Sequence, residues 1–265
     1  MIQESNCGIG IVGKEGKQAS LASDFSINQF SFLTRLILWH GRLSYKRSAV
    51  LGQFVIHRGM VISIIQAIFS IIFYYVAIPI YNGFLIMGYT TIYTNLPVFC
   101  LIFDEDVPVS AALKYPPLYQ TLQKGRELST KTFLVWVWMS IFQGCIIMLA
   151  TVIVFNESFS NIVTITFSAL IIIELLNVYS VVNKLNWKMI LSSVFTFIIY
   201  FLSIALLRSY FDTSYITWQF VVKVVLLTVM SWAPLQSVNF LIKHYFPSRE
   251  QKIMKQELRA MQIQP

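Results

Sequence analysis

Three glycines near the start of the chain have the spacing of a phosphate-binding loop. Gly8, Gly10 and Gly13 fit the pattern G-x-G-x-x-G, whose glycines let the backbone approach a pyrophosphate at the start of a helix. That chemistry needs a buried strand before the first glycine and a helix that opens at the third. Only residues 1–7 precede the pattern, and Gly16 follows it closely, so the context argues against a dinucleotide site. The run G-I-G-I-V is better interpreted as a short buried parallel strand.

Residues that bind metals or act as nucleophiles form no second pattern in the sequence. The three cysteines lack CxxC spacing, and His40, His57 and His244 have no partners at a ligand spacing. The acidic run Asp104–Asp106 stands at a predicted helix exit, where a solvated charge run is a better interpretation than a metal site. The sequence therefore predicts no catalytic, cofactor-binding or metal-binding residue.

The composition is that of a membrane protein. Apolar residues make up 56% of the 265 residues and charged residues 12%, with a mean hydropathy of +0.66. Soluble domains average about 25% charged residues. The net charge of +8 comes from basic residues at the ends of apolar runs. This distribution is typical of contact with lipid headgroups and excludes nucleic acid as the expected partner.

Uncharged runs predict six membrane spans. Residues 59–103 carry no formal charge, a length that suits two crossings of a hydrocarbon core about 30 Å thick. Pro79, Asn82 and Gly83 supply the turn between them. Lys and Arg are abundant before the first span and in alternate loops, which predicts that both termini are cytoplasmic. The predicted spans are about 58–77, 84–103, 132–156, 161–182, 189–207 and 216–241.

A long helix is predicted to lead into the first span. Ser26 and Gln29 fit an S-x-x-Q capping box, apolar residues then recur at helical spacing, and Pro79 is the first proline. A helix over 27–76 would be roughly 75 Å long at 1.5 Å per residue. Two interpretations are open: a rigid lever that enters the membrane, or a solvated basic juxtamembrane helix.

The residues of these elements resemble those of one transporter family. The stretch "MIQESNCGIGIVGKEGKQAS" and the elements Ala-Ser-Asp (22–24) and His-Gly-Arg (40–42) are similar to the end of the phosphorylation domain and the stalk of type IV P-type ATPases, the phospholipid flippases. The stretches "QFVIHRG" (53–59), "GFLIMGYTTIYTNLPVF" (83–99) and "KGRELSTKTFLVWV" (124–137) look more specifically like the neomycin-resistance-type branch. The resemblance covers essentially the whole chain.

This resemblance implies a fold class and a division of the chain. The fold is expected to be an all-α polytopic membrane domain of six transmembrane helices, with a short α/β remnant of the phosphorylation domain at the N-terminus. Residues 1–26 would be the remnant, 27–57 a cytoplasmic stalk helix, 58–241 the membrane domain and 242–265 a cytoplasmic basic tail.

The resemblance also implies an activity for the full-length enzyme, which would use ATP and Mg²⁺ to move phospholipid, expected to be aminophospholipid, from the exoplasmic to the cytoplasmic leaflet. Neither the family's Asp-Lys-Thr-Gly-Thr motif nor its Gly-Asp-Gly-x-Asn-Asp motif occurs here. We therefore expect the chain alone to be inactive and the N-terminal ATPase domains to be missing. A two-helix accessory subunit is expected not to be obligatory. Golgi or endosomal membranes are the expected location, with the plasma membrane as an alternative.

Polar residues inside the predicted spans are candidates for the lipid path, because polar groups in hydrocarbon mark packing seams or a substrate route. Pro97 removes a helix hydrogen bond amid hydroxyl and amide side chains, as in the broken helices of transporters. Many flippases carry Lys where Arg58 aligns and Asn where Thr90 aligns, so phosphatidylserine selectivity is in doubt. The candidates are Arg58, Gln66, Thr90, Thr94, Asn95, Pro97 and Glu174.

Each candidate also has a structural interpretation. The hydroxyls around Pro97 can bond back to their own helix, Arg58 can snorkel to the interface, and Glu174 can hydrogen-bond a neighbouring helix. Two other functions stay open for the whole chain: a non-catalytic six-span channel, carrier or scaffold, or a truncated regulatory relic. The sequence has no internal repeat of the kind that carriers show.

Overall fold

The chain divides into two compact units. The computed structural model describes residues 3–13, 18–115, 118–119, 122, 125–155, 159–206, 218–245 and 252. The first unit comprises Met1–Lys46, Val107–Arg126 and Arg249–Pro265, and the second comprises Arg47–Asp106 and Glu127–Ser248.

A short parallel sheet opens the first unit. Strand β1 (Ile9–Ile11) pairs with strand β2 (Phe25–Ile27), and helix α1 (Gln18–Leu21) lies between them in the chain. A Cβ at position 10 would lie 2.6 Å from the carbonyl oxygen of Ala19, so only glycine allows this close approach. The strand lies inside the glycine pattern and not before it, which is a further argument against a dinucleotide site. With three residues a strand, the sheet is a small α/β element.

The first long helix, α2 (Phe32–Ile72), begins later and ends earlier than the predicted range of 27–76. The capping box at Ser26 is wrong, because Ser26 lies in β2, opposite Gly10. Residues 25–27 pair with strand β1 and do not enter the helix. The helix also stops short of residue 76, because Tyr74 and Tyr75 have positive φ angles of 53° and 60°, which no α-helix allows.

Among the described residues, six helices are long and apolar enough to cross a membrane, as predicted. Asn82 and Ser129 cap two of them through their side chains. A shorter helix, α4 (Val109–Lys114), belongs to the first unit. The predicted span ends at 156, 207 and 216 lie outside the described residues, as does the predicted tail beyond residue 245 except residue 252. The long helices are α2, α3 (Gly83–Phe103), α5 (Thr130–Ile153), α6 (Phe159–Val181), α7 (Trp187–Leu206) and α8 (Trp218–Tyr245).

Helix α6 is the centre of the second unit. In its most apolar window 83% of the residues are buried, against 22–50% in the other five long helices. Helices α5 and α8 pack against it, and Phe167 on α6 contacts the rings of Tyr81, Tyr93 and Tyr200 with centroids 5.4–6.3 Å apart. The surrounding helices keep wide apolar faces exposed, as helices in contact with lipid do.

Candidate functional site

Helix α3 is interrupted at the candidate residues. A π-helical turn over Tyr89–Tyr93 is followed by α-helix over Asn95–Phe99, and Thr94 between them has φ −115°. The Thr94 hydroxyl donates to the carbonyl oxygen of Tyr89 at 2.6 Å. Pro97, which is buried, has no N–H to continue the ladder. The predicted break in this helix is therefore present, and its centre is Thr94.

Arg58 joins helix α2 to this break. Its Nη1 donates to the Thr94 hydroxyl at 2.7 Å, so the same hydroxyl accepts from one helix and donates within another. Arg58 is 8% exposed and Thr94 1% exposed. An arginine that snorkels would carry its guanidinium to water, so the structure favours an internal role for Arg58.

Glu174 on helix α6 is the third member of this cluster. It is 1% exposed, and it interacts electrostatically with Arg58 and with Tyr89. Among the described residues, Arg58 and Glu174 stay beyond the 4.0 Å of an ion pair. Glu174 Oε1 and the Tyr89 hydroxyl have no hydrogen-bond partner among the residues that the structure describes. We call Arg58, Tyr89, Thr94 and Glu174 the charged cluster.

The remaining candidates are not members of the charged cluster. Thr90 is exposed, and its hydroxyl donates to the carbonyl oxygens of Ile86 and Met87, as the structural interpretation predicts. Asn95 is half-buried. Gln66 stands two helical turns, or about 12 Å, along α2 from Arg58.

Gln66 holds the segment that follows α2. Its Nε2 donates to the carbonyl oxygen of Ile78 at 3.2 Å, and its Oε1 accepts from the N–H of Ile80 at 2.8 Å. A groove of about 490 Å³ lies beside it, with Ser63 and Ser70 in its lining. The side chain thus stabilises a turn and also faces a groove.

Sequence reasoning missed a second buried polar group next to Arg58, which we call the histidine network. The Ser140 hydroxyl donates to the carbonyl oxygen of Trp136 at 2.8 Å, so it accepts from His57 Nδ1 at 2.6 Å. Asn177 Nδ2 donates to His57 Nε2 at 3.3 Å, and the amides of Asn177 and Gln143 bond each other at 3.0 and 3.2 Å. This arrangement fits a neutral imidazole with its proton on Nδ1.

A sequence signal for this network exists. Ser140 and Gln143 are three residues apart on one face of α5, and Asn177 is one turn from Glu174 on α6. Polar residues with helical spacing inside apolar spans indicate a shared buried face. The network ties α2, α5 and α6 together beside the charged cluster.

The acidic run Asp104–Asp106 has a structural role. The Asp104 carboxylate accepts from the backbone N–H groups of Asn183 and Lys184 at 3.0–3.2 Å, and its carbonyl oxygen accepts from Arg47 Nε at 2.7 Å. Asp104 is thus a cap for the segment between α6 and α7 and more than a solvated charge. Across the described ranges, no three His, Cys, Asp or Glu residues are placed to hold a metal ion.

Comparisons with known proteins agree with the resemblance. The family model described as Phospholipid-translocating P-type ATPase C-terminal matches residues 20–248. The probable phospholipid-transporting ATPase IIB of Danio rerio is 51% identical over 96% of this chain and 23% of its own length. The probable phospholipid-transporting ATPase tat-5 of Caenorhabditis elegans is 47% identical over 96% of the chain and 24% of its own length.

A yeast relative supports the predicted neomycin-resistance-type branch of the family. The phospholipid-transporting ATPase NEO1 of Saccharomyces cerevisiae is 46% identical over 82% of the chain and 19% of its own length. The chain thus spans about a quarter, or less, of the length of these relatives. The predicted resemblance, including its branch, is confirmed. From the family model and these identities, the chain belongs to the phospholipid-translocating P-type ATPases and corresponds to their C-terminal membrane region.

Proposed function

We propose that this sequence is the C-terminal membrane part of an ATP-driven phospholipid translocase. Family membership and the names of the relatives support this proposal. Within the chain, the observation that carries it is Arg58, buried in a membrane domain and directed at the interrupted helix α3. A buried guanidinium beside irregular backbone suits a phosphate group, because its fork of donors matches phosphate oxygens.

The proposed enzyme divides its work between this sequence and ATPase domains upstream. Those domains would bind ATP and Mg²⁺ and carry the phosphorylated aspartate, since the family's motifs for these tasks are absent from this sequence. Dephosphorylation would drive aminophospholipid from the exoplasmic to the cytoplasmic leaflet. Helix α2 would be the stalk that transmits the change, a role supported by its length of 41 residues.

The lipid path in this proposal follows helix α3. Arg58, Thr94 and Glu174 form its inner part, and Asn95 and Pro97 belong to the next turn of α3. Thr90 and the groove beside Gln66 would contact lipid further along.

We further propose that both termini are cytoplasmic, that the enzyme works in Golgi or endosomal membranes, and that no accessory subunit is obligatory. The distribution of Lys and Arg supports the orientation.

The Thr94 hydroxyl offers a direct test of the lipid path. In the native full-length protein, purified and reconstituted in liposomes, Thr94→Val keeps the side-chain shape and removes the acceptor for Arg58. A lost hydrogen bond to a charged group costs about 1.5–3 kcal/mol, so we expect kcat/KM for lipid transport to fall about tenfold or more. Thr94→Ser should retain most of the activity.

Thr91→Val is the matched control, because Thr91 is exposed on the same helix and its hydroxyl bonds the carbonyl oxygen of Met87. Unchanged transport in Thr94→Val would overturn the lipid path. A wild-type protein that hydrolyses ATP and moves no lipid would overturn the function.

A further inference from the structure

Two side chains that can carry opposite charges are buried in the membrane domain beyond ion-pair distance of each other. Arg58 bonds the neutral hydroxyl of Thr94, and Glu174 lies within its electrostatic range but beyond ion-pair distance. Taking a charged group out of water costs several kcal/mol, which only close contact with the opposite charge and further hydrogen bonds repay. An ionised Glu174 in the cluster as it stands would leave part of that cost uncompensated.

The two unpaired polar atoms of the charged cluster could be satisfied by the same kind of ligand group. Glu174 Oε1 and the Tyr89 hydroxyl lack hydrogen-bond partners within the described ranges, and each residue is at most 1% exposed. Both groups interact electrostatically with each other. A carboxylate and a phenol oxygen are acceptors, so a cationic N–H donor would satisfy both.

A zwitterion with an anionic and a cationic end would supply a partner for each side of the charged cluster. A phosphate can bind the forked donors of Arg58, and a primary ammonium two carbons away can donate to Glu174 and Tyr89. A quaternary ammonium has no N–H to donate, and a glycerol headgroup has no cation. Binding of this kind would distinguish headgroups by their amine.

We propose that Glu174 and Tyr89 recognise the primary ammonium of the transported lipid headgroup while Arg58 holds its phosphate. This assignment rests on the proposed lipid transport and adds the residues that determine headgroup selectivity. Three helices supply the parts: Arg58 comes from α2, Tyr89 from the π-helical turn of α3 and Glu174 from α6.

The histidine network holds this geometry. His57, the neighbour of Arg58, is bonded to Asn177, which is one turn from Glu174 on α6. Arg58 and Glu174 thus project from helices that are joined by a side-chain hydrogen bond one residue from Arg58 and three residues from Glu174.

The test compares headgroups in the native full-length protein, purified and reconstituted in liposomes. Fluorescent phospholipids with ethanolamine, choline and glycerol headgroups are the probes, and kcat/KM for transport is measured for each. For Glu174→Gln we expect the ratio of ethanolamine to choline transport to fall at least about tenfold, because a hydrogen bond to a charged group is lost. Tyr89→Phe should lower the same ratio by a smaller factor.

Ser231→Ala is the matched control, since Ser231 is a fully buried hydroxyl on α8 that also lacks a hydrogen-bond partner among the described residues. It should leave the ratio unchanged. If Glu174→Gln does not yield folded protein, Tyr89→Phe decides. An equal fall for all three headgroups, or an unchanged ratio in both variants, would overturn this assignment while lipid transport itself stands. Wild-type protein that moves none of the three lipids would overturn the proposed function instead.

Discussion

At the scale of single residues, burial decides what the polar side chains of this membrane domain can do. Arg58, Thr94 and Glu174 are almost fully buried, and each meets groups from another helix. Thr90, four residues before Thr94 on the same helix, is exposed and bonds only back to its own helix. Hydroxyls of the same type, one turn apart, therefore take different roles because they point in different directions.

His57 gives a prediction at this scale. Replacing His57 by Ala leaves buried groups of Ser140 and Asn177 without their partner. An unsatisfied buried polar group costs about 1–3 kcal/mol, so we expect a loss of that size in the free energy of unfolding, measured by thermal unfolding of the detergent-solubilised protein. His40→Ala is the control, because His40 is exposed, and it should change stability by no more than about 0.5 kcal/mol. Equal effects of the two variants would contradict the network.

The sequence predicted half of this local picture. Arg58, Thr94 and Glu174 stood out because charges and broken helices are rare in hydrocarbon. Tyr89 and Gln143 did not, because neither carries a formal charge nor breaks a helix. Which polar residues meet depends on how each helix is rotated about its axis. A single sequence does not specify that rotation until neighbouring helices pack.

At the scale of elements, the crossing of α2 and α5 depends on one glycine. A Cβ at Gly144 would lie 2.8 Å from Ile64 Cγ2 and 3.2 Å from the carbonyl oxygen of Val61. Neither atom is the free end of a flexible side chain, so the two helices would have to separate. This crossing lies on the same pair of helices that the His57–Ser140 bond joins.

Two glycine substitutions should have opposite signs. Gly144→Ala is expected to lower the free energy of unfolding by about 1–3 kcal/mol, the usual cost of overpacking. Gly59→Ala, on the exposed face of α2 with nothing within 4 Å of the added Cβ, should raise it by up to about 1 kcal/mol, because Ala favours helix over Gly. Thermal unfolding of both variants in detergent tests this pair. Destabilisation by Gly59→Ala, or none by Gly144→Ala, would show that the helices cross elsewhere.

The elements themselves were easier to predict than their ends. Six helices follow from uncharged runs alone, since hydrocarbon requires about 20 apolar residues for each crossing. The predicted start of α2 was wrong because the local capping pattern at Ser26 is overridden by strand pairing of Ser26 with Gly10, which is distant in sequence. The predicted end of α2 was wrong because no proline or glycine in the sequence marks the turn at Tyr74 and Tyr75.

At the scale of the whole molecule, charge and burial separate two kinds of surface. The long helices around α6 expose apolar side chains, whereas Asp104, Arg47 and the Glu105–Lys184 pair meet where α3 ends and α7 begins. Polar contacts of this kind need water or headgroups nearby. The loop between α6 and α7 and the turn after α2 are therefore expected on opposite sides of the membrane, because α3 carries the chain across once and α5 and α6 carry it across twice more.

Labelling from each side tests the orientation. Leu185 and Tyr75 are 63% and 79% exposed, so a cysteine at either position can react with a membrane-impermeant thiol reagent once Cys7, Cys100 and Cys145 are replaced by Ala. Positive loops stay cytoplasmic during insertion, and Lys184 and Lys188 flank Leu185 whereas no basic residue lies near Tyr75. We expect Leu185→Cys to be labelled in intact cells only after permeabilisation of the plasma membrane. Tyr75→Cys should require opening of the internal membranes as well, or be labelled directly where the protein reaches the cell surface. Labelling of both cysteines from one side would contradict the three crossings by α3, α5 and α6, and the reverse pattern would place both termini on the opposite side.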